Sequence, residues 1–310
     1  MKSICLFSSY FTSDNIPNYV QYYLKELKRH FTRVIFITNE KKLEATSLLF
    51  LEINKIEPFF LPNEGYDFGM WYKAMLKYEI ELYDRVGLIN DSCILFKPLD
   101  NYFSWLNKQN VDYAGMVDST EIVYHIQSFF LTINKKAILP TLQYFKLNGL
   151  QSGREDVIKI YELGLCKHLQ EQGLKVDAWF PSEKYMPKDN PSIYAAHKMV
   201  KDGYPLIKKK ILFNSFSAGE YSWVTKHSFN HNPNYYIAII KKTNIDSPLF
   251  DFSLLKSDGY NPDLKKIMSL RLQSFRSRAK NIFLDGLKSI YRKLKIRELR
   301  NKLKFSAYND

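Results

Sequence analysis

Asn90-Asp91-Ser92 is the stretch of this chain best placed to do chemistry. Three small polar residues follow the apolar run Val86-Gly87-Leu88-Ile89, which reads as a buried strand. Ligands of open α/β sheets bind just outside the carboxyl ends of the strands, so an acid there is a candidate site. A polar turn after a strand is the plainer reading. The preceding stretch favours the site. Asn63-Glu64-Gly65-Tyr66-Asp67-Phe68-Gly69 carries two glycines and an acid and runs into a helix, Met70 to Glu81, that returns to the Val86 strand. Two polar loops one helix apart therefore emerge at one sheet edge.

The elements that must hold these loops follow from hydrophobic periodicity. Strands are expected at Ile4–Phe7, Val34–Ile37, Glu57–Leu61 and Val86–Ile89, with helices at Pro17–His30 and Lys41–Glu52 between them. That β-α-β-α-β-α-β order predicts an α/β fold, a mostly parallel sheet flanked by helices. Further on, the pattern gives a helix over Leu99–Lys108 and strands over Asp112–Val117 and Phe129–Ile133. Helices over Lys135–Leu147 and Glu155–Gln172 and a strand over Lys175–Phe180 follow. Gly173 ends the second of those helices. A loop is expected from Pro181 to Pro191 and one more helix from Ser192 to Asp202.

Three segments are expected: a catalytic domain over 1–212, an irregular extension over 213–260 and a basic helical tail over 261–310. Between Lys265 and Lys304, fourteen Lys and Arg face only Asp285 and Glu298, so the tail carries almost all of the net charge of +13. Its apolar residues, among them Phe275, Phe283 and Leu287, recur at three- and four-residue spacing. A basic amphipathic helix of this kind suits an anionic membrane surface. A nucleic-acid arm is not expected, since the body has no nucleic-acid-binding motif. Cys5, Cys93 and Cys166 have no metal-ligand spacing; Cys5 and Cys93 lie in apolar strand runs, where a free thiol behaves as a small hydrophobe, and a reducing compartment is expected. Ile4-Cys5-Leu6-Phe7 is too short for a signal core. The expected location is the cytoplasm, on the inner face of the plasma membrane.

The chain resembles the rhamnan synthesis F family of bacterial cell-wall and lipopolysaccharide polysaccharide assembly. The resemblance lies in Asn63-Glu-Gly-Tyr-Asp-Phe-Gly, Tyr83-Asp84 with Asn90-Asp91-Ser92, His125-Ile-Gln-Ser-Phe-Phe, Tyr161-Glu162-Leu-Gly-Leu with Gly173, and Pro205-Leu-Ile-Lys208. It implies a GT-A-like, Rossmann-like glycosyltransferase fold and a nucleotide-sugar donor, with dTDP-rhamnose favoured. A lipid-linked glycan acceptor is implied with it. Ser8, Ser9 and Tyr10 would then lie near base and ribose, with Asn63, Gly65 and Asp67 along the nucleotide. Asn90-Asp91-Ser92 would stand where such enzymes carry the Asp-x-Asp that holds a divalent cation.

Asp91 is the single carboxylate this turn offers to Mg2+ or Mn2+, fewer than a hard cation usually takes. Lys208, Lys209 and Lys210, or His197, are the alternative sources of positive charge for the leaving diphosphate. Glu162 is the candidate general base, with Glu155 and Asp156 as rivals at the start of the same helix. His125 and Gln127 are candidates for hydrogen bonding to sugar or phosphate. His227 and His231 lack a neighbouring acid or Cys and are not taken as metal ligands. A non-catalytic glycosyltransferase-like scaffold is the alternative to an enzyme.

Overall fold

Strands β1 (Ser3–Ser9), β2 (Arg33–Asn39) and β4 (Arg85–Asn90) read as unbroken apolar runs because both of their faces are covered. Cys5, Phe7, Val34, Phe36 and Ile89 pack into one core layer, and Ile4, Leu6, Ile35, Ile37, Val86 and Leu88 into the other. The first layer is closed by α1 (Asn18–His30) through Val20, Tyr23, Leu24 and Leu27, at the three- and four-residue spacing of one helix face. The helix α4 (Asp100–Gln109) joins it through Tyr102, Phe103 and Leu106. The second layer is closed by α3 (Tyr66–Lys77) and α5 (Lys135–Asn148), with fully buried Trp71 and Phe145. Each such side chain removed from water contributes ~1.5–3 kcal/mol. The structure, a computed structural model, describes residues 1–11, 13–39 and 42–212. The expectations for 213–260, the 261–310 tail, His227 and His231 lie outside the described residues.

With β3 (Glu57–Leu61), β6 (Tyr113–Ser119), β7 (His125–Ile126) and β8 (Phe130–Asn134), the sheet runs β3-β2-β1-β4-β8-β6-β7, and β9 (Val176–Phe180) pairs with β6. β1 pairs in parallel with β2 and β4, β2 with β3, and β6 with β9. The sheet is mixed, because β8 lies antiparallel between β4 and β6. A second, two-stranded ribbon pairs β5 (Cys93–Leu95) with β10 (Leu206–Lys208), antiparallel.

Local boundaries differ from periodicity where a side chain or turn intervenes. The helix α2 spans Ala45–Ile53 rather than starting at Lys41, and α3 starts at Tyr66 rather than Met70. The helix expected over Glu155–Gln172 is α6 (Arg154–Val157), a π-helical turn over Ile158–Gly164, and α7 (Leu165–Glu171). Tyr144 packs on the wide turn, its hydroxyl donating to the Ile160 carbonyl at 2.8 Å within the π-helical stretch. The expected loop holds a helical turn, α8 (Ser182–Tyr185). The helix expected from Ser192 is two, α9 (Pro191–Tyr194) and α10 (Ala196–Lys201).

The two glycines of the Asn63–Gly69 motif have distinct duties. Gly65 adopts φ +73° and turns the chain into α3. Gly69 lets the helix approach the loop, since a Cβ there would stand 2.0 Å from the Glu64 carbonyl oxygen. Gly69→Ala is therefore expected to cost about 1–3 kcal/mol in denaturant unfolding. An unchanged midpoint would mean that the approach is not required.

Candidate functional site

The carboxyl ends of β1 and β4 and the start of α3 meet at one edge, joined by side chains. Ser8 and Asn90 stand in register on adjacent strands. Each donates to a different oxygen of Asp67, Ser8 Oγ to Oδ1 at 2.8 Å and Asn90 Nδ2 to Oδ2 at 2.8 Å. The two loops read from the sequence thus converge on a single carboxylate. Asn90 Oδ1 also accepts the Ser92 N–H at 3.0 Å, which closes the turn and leaves Asp91 at its tip.

Asp91 has an internal cation. Lys209 Nζ lies 2.9 Å from Asp91 Oδ2, and the Tyr19 hydroxyl donates to the same oxygen at 3.2 Å. Lys209 also donates to the Tyr19 hydroxyl oxygen at 3.1 Å. The β5–β10 ribbon makes this pairing, because the Lys209 N–H bonds the Ser92 carbonyl at 2.9 Å, directly after Lys208 pairs with Cys93. Burial works against the Lys209 ammonium more than any other single effect, but the Asp91 carboxylate and the Tyr19 hydroxyl together outweigh it and raise its pKa. Of the four residues offered by sequence to neutralise a diphosphate, the structure brings Lys209 to the acid.

The Asp67 carboxyl is pushed up to about 6. Burial is the main cause and the Asp91 charge adds to it, while the Ser8 and Asn90 hydrogen bonds and Lys209 hold it down. A raised folded-state pKa means that the folded protein binds this proton more tightly than the unfolded chain does. Its favourable contribution is complete below about pH 4 and is lost as pH rises through about 6. Wild type should therefore lose more Tm between about pH 5 and pH 7 than Asp67→Asn does. Equal losses in a thermal melt series would remove the assigned shift.

A hard divalent cation fits this set poorly. Both Asp67 oxygens are engaged by Ser8 and Asn90, and Asp91 Oδ2 is held by Lys209 and Tyr19. What remains is Asp91 Oδ1 and carbonyls, short of the several carboxylate oxygens such an ion takes. The one group of acids and His with metal-like spacing among the described residues, Glu26, His30 and Asp100, lies elsewhere. It is an ion-pair cluster: Arg29 bridges Glu26 and Asp100, and Glu26 accepts the Leu99 N–H at 2.8 Å. Burial opposes the Glu26 charge, yet His30, Arg29 and Leu99 bring its pKa down to about 2.

Glu162 sits in the π-helical turn and its Oε1 accepts from Ser128 Oγ at 3.3 Å. The next residue, Phe129, takes the Asn90 N–H on its carbonyl at 3.1 Å, and its ring carries Lys208 Nζ 4.9 Å from the centroid. Glu162, Lys208 and the Asn90 turn therefore border the same strand entry. Tyr161 beside Glu162 stacks on Phe68 at 5.3 Å, so the Tyr-Glu motif packs on the glycine motif. Glu155 and Asp156 are exposed in the first turn of α6, where acids meet the helix dipole.

The remaining sequence candidates are less central. His125 is buried, and its Nδ1–H donates to the Val123 carbonyl at 2.9 Å. Gln127 is buried and committed to Ser192 and Asn190, tying that loop to the sheet. Asn63 and Tyr10 are exposed. Ser9 Oγ, at the end of β1, is buried with no hydrogen-bond partner among the described residues. Tyr19 went unread in the sequence. Its signal is its place at the start of α1, the first helix after β1, which opens toward the carboxyl edge.

The rhamnan synthesis protein F family model matches residues 34–275. No curated protein matches the chain by sequence. Solved structures show partial likeness. A cytidylyltransferase from Leptospira borgpetersenii is 12% identical with TM-score 0.37, covering 58% of this chain and 76% of its own. A protein assigned as a nucleotide-diphospho-sugar transferase from Desulfovibrio desulfuricans G20 is 20% identical with TM-score 0.35, covering 58% and 81%. The 4-diphosphocytidyl-2C-methyl-D-erythritol synthase of Anaerococcus prevotii is 9% identical with TM-score 0.38, covering 58% and 89%.

Proposed function

We infer that the chain, which belongs to the rhamnan synthesis protein F family, is a glycosyltransferase that uses a nucleotide sugar. The observation that carries this is the Asp91–Lys209–Tyr19 cluster at the carboxyl edge of β4. The donor favoured is dTDP-rhamnose and the acceptor a lipid-linked glycan. Its diphosphate lies against Lys209, with Lys208 on the Phe129 side, and the base and ribose lie toward Ser8, Ser9 and Tyr10. The basic stretch 261–310 would hold the protein on an anionic membrane surface, where a lipid-linked acceptor is concentrated.

In the transfer, an acceptor hydroxyl attacks the anomeric carbon as the bond to the diphosphate breaks. Glu162 takes the hydroxyl proton, and the departing diphosphate carries the bonding pair. Charge develops on that leaving group, and the Lys209 ammonium beside Asp91 would meet it. The test is incubation of the full chain with nucleotide sugars and a lipid-linked acceptor. Transfer from one donor supports the reading, and absence of both transfer and donor binding rejects it.

A scaffold without catalysis is the second reading. It is favoured by Asp91 being already neutralised within the protein. It requires that Asp91→Ala and Glu162→Ala leave polysaccharide synthesis intact in cells while deletion of the chain abolishes it.

A further inference from the structure

The opposite edge of the sheet holds a second polar pocket that the donor site does not use. Arg85 opens β4, five residues from Asn90 and so about 16 Å away along the strand. It is 6% exposed and no carboxylate pairs with it among the described residues. Its Nε donates to Asn134 Oδ1 at 2.9 Å and its Nη2 to Asn107 Oδ1 at 2.8 Å. Nη1 has no hydrogen-bond partner among the described residues. A buried guanidinium without a counter-charge is costly, and burial pulls its pKa down against a smaller opposing effect of Tyr102.

Arg85 lines a cavity of about 290 Å³ beside the amino end of α5. That helix start is short of partners. Its cap residue, Asn134, makes no capping hydrogen bond because its side chain is spent on Arg85 and the Val111 carbonyl. The first turn contains no acid but Lys135 and Lys136, charges that the helix dipole disfavours there. Lys135 is tied to the Glu81 and Tyr83 carbonyls, while Lys136 is exposed on the cavity wall. The two acids of the wall are turned to backbone donors, Asp84 to the Lys2 N–H at 2.7 Å and Asp112 to the Lys175 N–H at 2.9 Å.

We propose that this cavity is a binding site for a phosphate-class oxyanion, held by Arg85 Nη1, the free N–H groups at the start of α5 and Lys136. One oxyanion would meet the guanidinium without a counter-charge, the uncapped helix start and the exposed Lys136 at once. The phosphate can be free or belong to a lipid headgroup.

The experiment titrates the full chain with inorganic phosphate by calorimetry at constant ionic strength. It uses the Lys209→Met background so that the donor edge contributes nothing. Arg85→Met should weaken binding by about tenfold or more, as expected for loss of charge-assisted hydrogen bonds. Lys136→Gln, an exposed change that leaves the core intact, should weaken it about threefold. If Arg85→Met fails to fold, Lys136→Gln decides alone. Pelleting with phosphatidylglycerol vesicles distinguishes the sources. A loss in Lys136→Gln that parallels its phosphate loss assigns a lipid headgroup, and unchanged pelleting assigns free phosphate. Absence of saturable phosphate binding, or binding equal in all variants, overturns the proposal. Retention of binding in Lys209→Met separates it from the donor site.

Discussion

Lys209→Met should lower nucleotide-sugar affinity by about a hundredfold and leave a folded protein of reduced stability. Two effects combine in that result. The first is structural. Asp91 would be left largely buried with only the Tyr19 hydroxyl on its Oδ2, and breaking such a pair costs several kcal/mol when fully buried, about 2 kcal/mol at this partial exposure. The second is functional, the loss of the cation proposed to meet the diphosphate. The double variant Asp91→Asn with Lys209→Met separates them, since removing both charges relieves the uncompensated acid. Its stability should return toward wild type while donor affinity stays low. Recovery of both would make Lys209 a structural partner only.

Glu162→Gln should reduce kcat by about 10²–10⁴-fold, the range of a lost general base, with donor KM little changed. The amide keeps the shape and can still accept from Ser128 Oγ, so the π-helical turn is preserved. Glu155→Gln and Asp156→Asn should leave kcat near wild type, because those acids stand exposed at the helix start. A large kcat loss in either, with Glu162→Gln active, would transfer the role to the first turn of α6.

The layered sheet was legible because its chemistry is local. Continuous apolar runs such as Cys5 to Phe7 and Val34 to Ile37 mark strands covered on both faces, and Pro17 marks the entry to α1. The convergence of the Asn63–Gly69 loop with Asn90-Asp91-Ser92 followed from strand order, and Asp67 bonded to Ser8 and Asn90 realises it. Three features were out of reach. Pairing of β5 with β10 joins three-residue strands more than a hundred positions apart, too short to show a period. Without it, nothing in Lys208-Lys209-Lys210 says which lysine meets Asp91. The antiparallel direction of β8 is a tertiary fact, invisible in its apolar run. The π-helical turn meets Tyr144 from another helix, a contact periodicity does not show, so periodicity alone predicts an unbroken helix.

In the proposed function the Asp91–Lys209 edge binds a nucleotide sugar with the lysine in place of a divalent ion. The most direct test is calorimetric titration of the full chain with dTDP-rhamnose and other nucleotide sugars, with and without a chelator. Saturable binding of one donor, equal in both conditions and lost in Lys209→Met, is the predicted result. Binding that needs added Mg2+ or Mn2+, or no binding of any donor by the wild-type chain, would contradict it.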